Sequence, residues 1–136
     1  MRLLLDTCIL AELRHPQGSD IIKSTISQYD DNALFLSVLT VGEIAKGINL
    51  LPESRKKLEL TNWFTSLEQQ FDDRILPIDR DTAVMWGELT ARAQNEGITI
   101  PACDGLIAAT ALRYGLHVVT KNLKHFQDTG VLILEL

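Results

Sequence analysis

Five short apolar runs punctuate this chain: "RLLLD", "ALFLS", "RILPI", "HVVT" and "VLILEL", beginning at Arg2, Ala33, Arg74, His117 and Val131. Each is too short for a helix, and none alternates between apolar and polar residues. That pattern fits strands buried on both faces. Between them lie stretches with helical periodicity. Alternating strands and helices define an α/β class with a mostly parallel sheet of about five short strands and helices covering both faces. The length of 136 residues sets the expectation of one domain spanning 1–136, large enough to bury roughly two-thirds of its unfolded surface.

The helical stretches carry their own boundaries. A helix from Cys8 to Arg14 stops before Pro16, since the residue before a proline disfavours helical backbone. "SDIIKSTISQY" places Ile21, Ile22, Ile26 and Tyr29 on one face behind a Ser19 or Asp20 cap. "VLTVGEIAKGINLL" is helical despite two glycines, and Pro52 is read as opening a longer helix. Asp79 or Asp81 caps a helix from about Thr82 to Asn95, ended by Gly97. "ACDGLIAATALRYG" closes at Gly115.

Ligands of open parallel sheets sit at the carboxyl ends of the strands, so the polar residues there matter most. Asp6 ends the first strand. Glu43 falls in the second turn of the helix after the second strand, and Asp104 in the first turn of the helix before the fourth. Each has a structural use of its own. Asp6 fits a helix cap, Thr40 to Glu43 fits a capping box, and Asp104 fits a first-turn acid favoured by the helix dipole. Together at one sheet edge they offer hard oxygen ligands suited to Mg²⁺ or Mn²⁺. Such an ion orients a phosphodiester and activates water.

Other signals exclude more than they assert. Formal net charge is −5, which argues against holding nucleic acid by bulk positive charge but not against a carboxylate-based nuclease. "GEIAKG" lacks the Lys-Ser or Lys-Thr of a phosphate loop. The three histidines and two cysteines have no zinc-ligand spacing. No apolar run reaches the roughly 20 residues of a membrane span. Acids at Asp6 and Glu12 and the lack of a cleavage-site pattern make a cytoplasmic protein with free thiols the expectation.

"LLLDT", "SVLTVGEIAKGI" and "IPACDGLIAATALRYGLHVVTKNLKHF", in this order and spacing, resemble a PIN-domain ribonuclease, specifically the VapC-type toxin of a type II toxin–antitoxin pair. The resemblance implies a PIN-like three-layer domain and a Mg²⁺-dependent endoribonuclease in which Mn²⁺ substitutes. It implies a homodimer and a VapB-type antitoxin that occupies the cleft, with DNA reached only through that antitoxin and no membrane partner. Asp6, Glu43 and Asp104 match the family's catalytic acids, and Asp6 and Asp104 are its implied metal ligands. Thr120 matches a hydroxyl residue ending the fourth strand. His125 stands where many relatives carry a fourth acid, and Cys8 where they often carry a small polar residue. Lys46, Lys121 and Asn122 are further candidates for contact with RNA or antitoxin. Two other readings compete: a non-catalytic PIN relative that binds RNA or an antitoxin, and a receiver-like signalling domain. The receiver reading lacks an acid pair after the first strand and an Asp at the end of the third.

Overall fold

The computed structural model describes residues 1–136. Strand β1 (Leu3–Leu5) leads into helices α1 (Thr7–Arg14) and α2 (Asp20–Ser27), and a single 3-10 turn at Asp31–Ala33 delivers β2 (Leu34–Ser37). Helices α3 (Val38–Asn49) and α4 (Arg55–Gln70) precede β3 (Ile75–Leu76). Then come α5 (Arg80–Asn95), α6 (Ala102–Tyr114), β4 (His117–Val119) and the short α7 (Leu123–Phe126).

All strand pairs are parallel, and the order across the sheet is β3-β2-β1-β4. Successive side chains of a strand point to opposite faces, and β1 uses both. Leu3 and Leu5 join a core with Ile9 of α1, Ile26 of α2, Ile44 of α3 and Leu67 of α4. Leu4 joins a second core with Ile107 and Ala108 of α6, Val118 of β4 and Phe126 of α7. A strand buried between two helical layers has no polar face, which is why "LLL" reads as a continuous apolar run. Leu89 and Ala93 of α5 pack with Ala109 of α6 in a third cluster. No helix is long and apolar enough to cross a membrane.

Three details differ from the sequence reading. The run "VLILEL" forms no full strand. Only Ile133 bridges to Val118, with the Val118 N–H donating to Leu132 O and the Leu134 N–H to Val118 O. The sheet therefore has four strands and a bridged tail. The cap of α3 is Ser37, whose Oγ accepts from the Leu39 N–H; Thr40 is already inside the helix and buried, so no capping box forms there. Helix α4 starts at Arg55 behind a Ser54 cap, three residues beyond Pro52. Asp79 caps α5, and Gly115 closes α6 in the left-handed conformation (φ 68°) that glycine adopts without a Cβ clash.

Candidate active site

Strand order reverses at β1: β2 lies on one side and β4, the last strand, on the other. A crevice opens at the carboxyl end of such a switch point. Asp6 and Thr120 are the residues that immediately follow the two strands flanking it, and the Asp6 N–H donates to Val119 O at 3.0 Å. Asp6 is 6% exposed and serves as the α1 cap. Its Oδ1 accepts from the Thr7 N–H at 2.9 Å and its Oδ2 from Thr120 Oγ1 at 2.8 Å. A buried carboxylate needs such donors, because desolvation without them is costly.

Glu43 comes from the second turn of α3, which starts at the carboxyl end of β2. Thr7 Oγ1 donates to its Oε1 at 3.1 Å. Partial desolvation raises the Glu43 pKa, the Thr7 hydrogen bond opposes that, and the charges of Asp6 and Asp104 add to the rise. Asp104, in the first turn of α6, sits beside His125 of α7, with Nδ1 3.0 Å from Oδ2. Desolvation raises the Asp104 pKa most. The His125 charge lowers it, Asp6 raises it, and the hydrogen bond to His125 lowers it further. The charges of Asp6 and Asp104 thus both reach Glu43, and that of Asp6 reaches Asp104, as expected for carboxylates gathered at one edge.

The acids, histidines and cysteines do not converge as a ready cage of three ligands. Mg²⁺ does not require one. It keeps several waters and is commonly held by one or two carboxylates plus substrate phosphate. The donor set is all hard oxygen, two of its carboxyls resist ionisation, and a cation would relieve their repulsion, so the residues present fit such an ion.

The remaining sequence candidates divide. Cys8 Sγ donates to Asp6 Oδ2 at 3.7 Å and accepts from the Lys121 N–H at 3.3 Å, so it lies within the site. Burial raises its thiol pKa most strongly. Lys121 Nζ is taken up by Glu12 at 2.6 Å, and the Asn122 N–H donates to Thr120 Oγ1. Lys46 shares a surface groove with Glu43 and Cys103. A separate apolar groove lined by Leu13, Ile26, Trp63 and Phe71 shares no residue with the carboxylates. Sequence reasoning missed Thr7 as the partner of Glu43. The signal available was its place directly after Asp6, at the first position of α1.

A parallel four-stranded sheet with acids gathered at its switch point defines a carboxylate-site α/β protein. The PIN domain model matches residues 3–132, and the chain belongs to the PIN-domain family. Toxin FitB of Neisseria gonorrhoeae is 34% identical over 135 residues, covering 96% of this chain and 95% of that protein. VapC ribonuclease Y4jK of Sinorhizobium fredii is 29% identical over 133 residues, covering 97% and 95%. The solved structure of FitAB bound to an IR36 DNA fragment matches with a TM-score of 0.91 at 31% identity, covering 97% of this chain and 93% of that one.

Proposed function

We propose that this chain is a divalent-metal-dependent endoribonuclease that acts as the toxin of a type II toxin–antitoxin pair. One observation carries the reading: Asp6 after β1, Glu43 in the second turn of α3 and Asp104 in the first turn of α6 come from three separate elements to one sheet edge. The names of FitB, a toxin, and Y4jK, a VapC ribonuclease, support it. Residues 1–136 act as one domain in the cytoplasm. The partners are an RNA substrate, a second copy of the chain and a cognate antitoxin through which DNA is reached; the likeness to FitAB on DNA supports the last.

Asp6 and Asp104 would hold Mg²⁺, with Mn²⁺ as a substitute. When bound, the ion supplies Lewis-acid charge for a phosphodiester. The chain's own residues do the rest. Thr7 and Thr120 fix both oxygens of Asp6. Glu43, with its pKa raised and one oxygen held by Thr7, accepts the proton of the attacking water. A base with a pKa nearer neutrality does this better than an ordinary carboxylate.

The test is cleavage of RNA by the purified chain. Mg²⁺ should support it, a chelator should stop it, and Asp6→Asn and Asp104→Asn should abolish it in folded protein. Cleavage that survives chelation, or wild-type activity in either folded variant, overturns the reading. An antitoxin-binding chain that cuts no RNA is the non-catalytic relative.

A further inference from the structure

Each of the three acids has a polar partner supplied by the chain. Thr120 donates to Asp6, Thr7 donates to Glu43, and His125 lies against Asp104. The first two partners are neighbours of Asp6 or follow the adjacent strand, but His125 comes from a separate short helix. That helix is anchored. Phe126, the next residue, is fully buried against Ile107 and Ala108 of α6, the helix that carries Asp104. The imidazole is therefore delivered to the carboxylate by packing. His125 Nδ1 is 3.0 Å from Oδ2, within hydrogen-bonding range, although the ring itself is half exposed. Pro101 at the cap of α6 offers no side-chain hydrogen bond, and no other side chain of the protein pairs with the Asp104 carboxylate.

We propose that His125 is a positioning residue for the metal ligand Asp104. Its ring nitrogen fixes Oδ2 and leaves Oδ1 as the oxygen offered to a divalent cation. This rests on the metal-site reading above. Metal-ligating carboxylates are commonly oriented by such outer partners, whose loss weakens metal affinity about 10–100-fold. An asparagine carries its amide nitrogen at nearly the same distance from the backbone as Nδ1, so it can take over the contact, whereas alanine cannot.

Calorimetric titration of Mn²⁺ into the full-length wild type, His125→Ala and His125→Asn tests this, with circular dichroism confirming that each is folded. His125→Ala should bind Mn²⁺ about 10–100-fold more weakly with unchanged stoichiometry, and His125→Asn should stay within about threefold of wild type. His125→Phe, which keeps ring bulk without a donor, replaces the alanine variant if that fails to fold, and should be equally weak. Wild-type affinity in the alanine or phenylalanine variant, or an asparagine variant as weak as they are, overturns the role of His125 alone. A wild type that binds no Mn²⁺ overturns the metal site and this role with it.

Discussion

Thr120 Oγ1 donates a 2.8 Å hydrogen bond to Asp6 Oδ2 across 114 residues of sequence. Both residues are buried, Thr120 to 1% exposure. Thr120→Val keeps the shape and removes the donor. Hydrogen bonds to charged groups contribute about 1.5–3 kcal/mol, so the variant should unfold more easily by roughly that amount in urea. Thr120→Ser should retain most of the stability. Equal stability of the valine variant and wild type would show that Asp6 does not depend on this bond.

Asp104→Asn should stabilise the metal-free protein at neutral pH. The folded-state pKa of Asp104 is raised, first by desolvation and then by Asp6 against the opposing His125. An acid with a raised folded pKa destabilises the fold above that pKa, and the penalty is relieved as pH falls through it. The melting temperature of the variant in chelator should therefore exceed wild type at neutral pH. The gap should narrow as the solution is acidified. Mg²⁺ should raise the wild-type value by binding the native state and leave the variant nearly unmoved. A metal-free variant that melts at or below the wild-type temperature contradicts this.

Asp79 should give the opposite pH signature. Its Oδ1 accepts from the Thr82 N–H at 2.9 Å and its Oδ2 from Arg113 at 2.8 Å. These contacts lower its pKa, the Thr82 backbone N–H most of all. A lowered folded pKa contributes stability that is present above the unfolded value of about 3.9 and lost as pH falls through the folded value. Asp79→Ala should be destabilised at neutral pH, and the difference from wild type should shrink only below about pH 3.9. A difference that is constant across acid pH would assign the effect to packing alone.

Gly18→Ala should disrupt the turn between α1 and α2. A Cβ there would lie 1.9 Å from the Glu12 backbone oxygen, which cannot move as a side chain would. Forced overpacking of this kind costs about 1–3 kcal/mol, and occasionally more. The same turn orients Glu12, which accepts from the Ser19 N–H at 2.7 Å and holds Lys121. Chemical denaturation should show a loss of about 1–3 kcal/mol; wild-type stability would mean that the turn relaxes freely.

The sequence determined most of the elements and singled out the candidate acids. Apolar runs, a cap at Asp79 or Asp81 and the glycine at 115 act within a few residues, so local periodicity and turn chemistry reveal them, and the structure assigns that cap to Asp79. Asp6 and Glu43 could be placed at one edge because parallel strands send their carboxyl ends the same way, and Asp104 joins them because the helix before the fourth strand crosses back from that edge. Tertiary structure decided what depends on neighbours far away in the chain. "VLILEL" is as apolar as a strand, yet only Ile133 finds its bridge to Val118. Thr40 had the spacing of a capping box, but Ser37 reaches the free N–H first and packing buries Thr40 inside the helix. Lys121, a candidate for contact with RNA or antitoxin, is paired with Glu12, 109 residues away in the chain, which no local pattern reveals. His125 was visible in the sequence as an imidazole close to the site. That it lies on Asp104 follows from Phe126 being buried against α6, a contact between helices that no local pattern encodes.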